Sequence, residues 1–242
     1  MRYVGYSRFV VIRMDFQSVI GFSDRGGEFV ASPSVFLDKV QKIKCIAFDW
    51  DGVFNSGVKG EGVYSYFSEV DSMGLNILRF GKKILSGDIL IAGIISGEKN
   101  PSTEKFVNRE HLNFKCLGFK NKTEGLNHVL NHFNLSPEEV AFVFDDILDL
   151  SVAKVCGLRF QIRRNATPMF DKYVKNRNLV DYITANTGER FAVREVCELL
   201  LAAFGVYDKA VDSRVAFDSV YASYIQERNS IAPLTFSPET TY

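Results

Sequence analysis

The chain has 242 residues, 46% hydrophobic and 24% charged, with 29 basic and 29 acidic side chains that cancel. This is enough apolar material for one sizeable core with appendages. The charge balance excludes the basic clustering that nucleic acid or an anionic membrane surface requires, and no apolar run approaches the roughly 20 residues of a membrane span. The run Phe9 to Ile12 is too short for a secretory signal. Cys45, Cys116, Cys156 and Cys197 are widely spaced, each in an apolar segment. They read as buried free thiols of a reducing compartment, which places the chain in the cytoplasm.

Residues 1–41 mix apolar stretches with Gly, Ser and Asp and are broken by Gly26-Gly27 and Pro33, so they read as an irregular N-terminal extension. Residues 42–204 alternate short apolar runs with helical periodicity. Strands are expected at Ile43–Phe48, Ile89–Ile95, Cys116–Phe119, Val140–Phe144 and Leu158–Gln161. Helices are expected at Met73–Leu85, Ser102–Leu112, Lys122–His132, Leu148–Cys156 and Ala192–Leu201. This alternation predicts an α/β fold, a doubly wound parallel sheet with helices on both faces. Between Gly57 and Ser68, β-forming residues flank Lys59-Gly60-Glu61-Gly62, the pattern of an inserted β-hairpin. In residues 205–242, Tyr207, Val211, Val215, Tyr221 and Ile225 follow one helical face, a C-terminal helical tail that turns irregular at Pro233. His128 and His132 stand one turn apart with no third ligand nearby and read as surface helix positions.

In a doubly wound sheet, ligands bind outside the carboxyl ends of the strands. The first strand ends on Asp49 and Asp51, whose period-two spacing puts both carboxylates on one face. Two like charges so close call for a hard divalent cation. The second strand is followed by Ser96 and Gly97, and the third by Lys120, Asn121 and Lys122. The fourth is followed by Asp145, Asp146 and, one turn on, Asp149. Singly, Ser96 could cap a helix, Lys122 could be a solvated charge and the aspartates could complement a helix dipole. Four strand ends carrying acids, a hydroxyl, a lysine and further acids fit phosphoryl chemistry better.

The series Asp49-Trp50-Asp51-Gly52-Val53, Ile95-Ser96-Gly97, Asn121-Lys122 and Asp145-Asp146 resembles the haloacid dehalogenase superfamily. With the hairpin and Val193-Arg194-Glu195-Val196-Cys197-Glu198-Leu199-Leu200, it resembles the capless phosphatases of 3-deoxy-octulosonate 8-phosphate and 3-deoxy-nonulosonate 9-phosphate. The resemblance implies a Mg²⁺-dependent phosphatase of a small phosphorylated sugar acid, a Rossmann-like sheet without a cap domain, and a homotetramer. Asp49 would be the nucleophile and Asp51 the general acid and base. Asp49, the Asp51 carbonyl and Asp145 would hold Mg²⁺. Ser96 and Lys122 would bind the phosphoryl oxygens, with Asp146 and Asp149 in support. Ser96, Gly97, Glu98, Arg109 and Lys122 would contact substrate.

The chain also departs from that pattern. Phe144 stands where the family usually carries Gly, a change expected to crowd the metal loop. Thr187-Gly188-Glu189-Arg190 replaces a Gly-Gly-Arg run. Glu98 occupies a position where octulosonate phosphatases carry Arg, and a Glu cannot clamp a substrate carboxylate. With Arg109 about three turns later, this favours the nine-carbon acid. The competing reading is an inactive homologue serving as an assembly module, like the domain fused to sialate cytidylyltransferases.

Overall fold

The computed structural model describes residues 16–60 and 65–239. Its strands are β1 (Glu28–Phe29), β2 (Cys45–Phe48), β3 (Ile91–Ser96), β4 (Phe114–Leu117), β5 (Val140–Phe144), β6 (Leu158–Gln161), β7 (Tyr182–Ile183) and β8 (Leu234–Phe236). They form one sheet of order β1-β7-β6-β5-β2-β3-β4-β8, with every pairing parallel except β1 against β7. The helices are α1 (Phe16–Asp24), α2 (Pro33–Val40), α3 (Glu69–Ser86), α4 (Pro101–Arg109), α5 (Lys122–Phe133), α6 (Leu150–Ala153), α7 (Pro168–Asn176), α8 (Ala192–Phe204), α9 (Tyr207–Ala216) and α10 (Ser219–Asn229).

Side-chain alternation along the strands splits the interior into two cores. Ile46 and Phe48 of β2 and Ala141 and Val143 of β5 join α2, α3, α4 and α8 on one face of the sheet. Cys45 and Ala47, with Val140, Phe142 and Phe144, join α5, α6 and α7 on the other. The central strands are therefore apolar on both sides, as a parallel sheet covered by two helical layers demands. The expected doubly wound α/β architecture is the one found. β2 lies between β3 and β5, where the chain reverses direction across the sheet, and its carboxyl end opens into the crevice that this reversal creates.

Both ends of the chain contain more structure than expected. The N-terminal stretch read as irregular carries α1, β1 and α2. Pro33 does not break it. Pro33 sits in the first turn of α2, where a missing N–H is harmless, and Ser32 caps that helix by accepting from the Val35 N–H. Lys39 of α2 then reaches buried Asp181 at 2.6 Å. The tail is two helices, because Phe217 turns the chain at φ 48° and Asp218 caps α10 by accepting from the Val220 and Tyr221 N–H groups. Tyr224 buries against Phe80 of α3, and β8 closes the far edge of the sheet. Phe236 of β8 stacks on His128, so this histidine packs against the tail. The predicted hairpin between Gly57 and Ser68 includes residues 61–64, which lie outside the described residues. Among the described residues, no helix is long and apolar enough to cross a membrane.

Candidate active site

Five strand ends converge on a cavity of about 500 Å³ lined by Asp49, Asp51, Ser96, Lys122, Asp145, Asp149 and Arg164, among others. Its floor is a charged cluster. The Lys122 ammonium donates to Asp49 Oδ1 and to Asp149 Oδ1, both at 2.5 Å. All three side chains are buried. Lys122 is the first residue of α5, whose cap is Asn121, so it is a buried reagent and not a solvated charge. Likewise Ser96 caps no helix: Asn100 caps α4, and the Ser96 hydroxyl accepts the Glu98 N–H at 3.3 Å while lining the cavity.

Asp49, Asp145 and Asp149 bring carboxylate oxygens within 4.8 Å of one another. Burial, and then the neighbouring carboxylates, raise Asp49 and Asp145 well above the usual carboxylate range. Burial alone would lower Lys122, but Asp49 and Asp149 outweigh it and hold the ammonium protonated. Lys122 and the Arg164 guanidinium on Asp145 still leave three buried acids one positive charge short. An all-oxygen trio short of positive charge is the donor set a hard divalent cation takes. Asp149, expected in a supporting role, belongs to this trio. Asp146 is exposed and caps the following turn by accepting the Ile147 N–H.

Asp51 lies beside the trio and outside it. Its carboxylate accepts from the Ser65 hydroxyl at 2.8 Å and pairs with Lys59 at 3.2 Å. The turn that separates Asp49 from Asp51 is held by an aromatic wedge, with Trp50 stacked on Phe54 at 5.0 Å and both packed on Phe106. Gly52 follows at φ 88°, and a Cβ there would fall 2.0 Å from Asp145 Oδ2. Only glycine lets the β2 loop and the β5 loop meet this closely. Gly188 buttresses the same turn, since a Cβ on it would lie 2.3 Å from the Gly52 carbonyl. That loop is held by Glu195, which accepts from Tyr182, Ala185 and Asn186.

No family model matches the chain. It is 32% identical over 179 residues to the 3-deoxy-D-manno-octulosonate 8-phosphate phosphatase KdsC of Escherichia coli (strain K12), spanning 72% of this chain and 87% of the relative. The chain belongs to the 3-deoxy-D-manno-octulosonate 8-phosphate phosphatase family, within the haloacid dehalogenase superfamily. The Haemophilus influenzae KdsC is 26% identical over 180 residues, covering 71% of this chain and 92% of its own. The 3-deoxy-D-manno-octulosonate 8-phosphate phosphatase of Moraxella catarrhalis, solved with magnesium, phosphate and KDO, superposes with a TM-score of 0.62 at 26% identity. That match covers 76% of this chain and 99% of the other.

In this member of the octulosonate phosphatase family, Asp49, Asp51, Ser96, Gly97, Glu98, Lys122, Asp145, Asp146 and Asp149 all line one cavity. Arg109 does not. It lies at the end of α4 on the surface, donating to both Glu69 oxygens at 2.5 and 2.6 Å, over the Phe67 ring. Phe144 is not among the residues that line the cavity. Its ring packs in the core beneath α5, α6 and α7, parallel to Phe142 at 6.0 Å. Three contributors escaped the sequence: Lys59, Asn55 and Arg164. Arg164 had a usable signal, because it follows β6, a fifth parallel strand end. Asn55 had none, since its role depends on how the loop folds: its Oδ1 accepts the Gly57 N–H at 2.9 Å.

Proposed function

We propose that the chain is a Mg²⁺-dependent phosphatase of a 2-keto-3-deoxy sugar-acid phosphate, with octulosonate 8-phosphate the first candidate and nonulosonate 9-phosphate the second. The observation that carries it is the buried Lys122 clamped between Asp49 and Asp149 at the floor of an acid-lined cavity. Family membership supports the assignment as a phosphoric monoester hydrolase. Phosphate monoesters hydrolyse so slowly unaided that several effects must combine.

Asp49 supplies the nucleophile. Its carboxylate attacks phosphorus, the bond to the sugar oxygen breaks, and an aspartyl-phosphate divides one hard displacement into two. Asp51, oriented by the Ser65 hydroxyl, donates a proton to the departing sugar oxygen. It then takes one from the water that hydrolyses the intermediate. Lys122 and Ser96 hold the charge on the phosphoryl oxygens. Mg²⁺ held by Asp49, Asp145 and the Asp51 carbonyl, with Asp149 as a further oxygen donor, would offset the remaining negative charge. The assembly-module alternative draws on Phe144, and the absence of that residue from the cavity lining favours the enzyme reading.

The four buried free cysteines support a reducing, cytoplasmic setting. A homotetramer is expected from the family resemblance, and a monomeric mass by light scattering would contradict it. The direct test is phosphate release from octulosonate 8-phosphate, nonulosonate 9-phosphate and hexose phosphates, with Mg²⁺ and with a chelator. Release from one sugar acid, abolished by chelation, is the expected result. Turnover of hexose phosphates alone, or of nothing, would overturn it.

A further inference from the structure

Three cations that line the cavity, Lys59, Lys120 and Arg164, have no part in the steps above. Arg164 sits on the loop after β6, where the Thr167 N–H and hydroxyl both donate to its carbonyl, at 3.1 and 3.0 Å. The backbone is thus tied down. The guanidinium donates to Asp145 Oδ2 and lies against Gly52, close enough that a Cβ there would come 2.5 Å from Nη2. The side chain is nevertheless 37% exposed and lines the cavity. One face of the fork is occupied by Asp145, and the rest is open to whatever enters.

Lys120 is an exposed ammonium at the same rim, and the other cations are committed. Lys122 is held at the floor by two buried carboxylates. Lys59 spans Asp51 and Glu98, at 3.2 and 2.7 Å. Arg109 is held bidentately by Glu69 outside the cavity. Glu98 is itself an acid. Among the described residues, Arg164 is the guanidinium fork lining the cavity, and a planar fork is the group that matches a carboxylate with two parallel hydrogen bonds. Its present partner, Asp145, belongs to the trio suited to a divalent cation. A metal ion and Arg164 compete for that carboxylate, because two cations on one acid repel each other.

We propose that Arg164 is the substrate-carboxylate ligand of this site, held on Asp145 until a divalent cation takes Asp145 and then paired with the carboxylate of the sugar acid. This rests on the phosphatase assignment above. It replaces the clamp that Glu98 cannot provide.

Two measurements test it. In calorimetry without substrate, Mg²⁺ should bind Arg164→Gln about three- to tenfold more tightly than wild type, while Arg164→Lys, which keeps the charge, stays closer to wild type. In steady state, the KM of Arg164→Gln for the sugar-acid phosphate should rise about tenfold more than its KM for p-nitrophenyl phosphate, which has no carboxylate. Arg164→Lys should recover only part of that difference. Equal KM changes for the two esters, or unchanged Mg²⁺ affinity in Arg164→Gln, would overturn the assignment. Wild type that releases no phosphate, yet binds free octulosonate in a manner lost in Arg164→Gln, would sink the phosphatase assignment and support this one.

Discussion

The four charged side chains of the cavity floor, Asp49, Lys122, Asp145 and Asp149, are each no more than 9% exposed. At the rim, Lys59 and Glu98 keep 51% and 64% of their surface and Arg164 keeps 37%. The floor hangs on strand ends and the first turn of α5, so its geometry is set by the sheet. The rim hangs on loops. Buried charges are costly unless paired, whereas exposed pairs contribute about 0–1 kcal/mol and exchange partners readily. The floor is accordingly suited to chemistry that must not vary, and the rim to recognition that can be retuned by single residues.

The contrast breaks most visibly at Lys122. Lys122→Met leaves Asp49 and Asp149 buried without their cation. It should destabilise the metal-free protein by about 3–5 kcal/mol and lower kcat by about 100-fold or more. Mg²⁺ should restore part of the stability and little of the rate, read by thermal unfolding with and without the ion. Phe144→Gly probes the layer beneath the floor. Removing a ring packed with Phe142 should cost about 3–5 kcal/mol yet leave the Mg²⁺ affinity little changed, because Phe144 is not among the residues that line the cavity. Tighter Mg²⁺ binding in that variant would show that Phe144 does restrain the metal loop.

Asp71 offers a buried acid away from the site, whose charge Arg194 offsets only in part. It reaches from α3 to the start of α8, where Phe191 cannot cap, and its Oδ1 accepts the Arg194 N–H at 2.8 Å. Its Oδ2 has no partner. Burial pushes Asp71 up to about 7, against about 3.9 in the unfolded chain. Between those values the folded state keeps a proton that the unfolded state has lost. Its contribution is therefore whole below about pH 4 and is lost as pH rises through 7. Asp71→Asn keeps the acceptor and removes the titration. The stability of wild type relative to the variant should fall by about 1–3 kcal/mol from pH 4 to pH 8, measured by urea unfolding. A pH-independent difference would contradict this.

Much of the floor was legible in the sequence, because short apolar runs ending on reactive side chains leave little choice of register. β5 and β6 lie at their expected boundaries, and the acids, hydroxyl and lysine after four strands do converge. The edges were not legible. β1 and β7 are two residues each, too short to show alternation, and Pro33 looks like a breaker until Ser32 is seen capping α2. The rim was misread for a related reason. Arg109 has a plausible distance along its helix, but that distance does not say whether the side chain faces the cavity or Glu69. Arg164 was missed because the strand-end rule was applied to four strands while β6 supplies a fifth.

The most direct test of the chemistry is a rapid acid quench of the Mg²⁺-loaded protein turning over octulosonate 8-phosphate, followed by mass spectrometry of its peptides. A phosphoryl group on Asp49 in the wild type, and none in Asp49→Asn together with a loss of turnover of about 1000-fold or more, is the predicted result. Turnover that persists in Asp49→Asn, or a phosphoryl group trapped on any other residue, would contradict it.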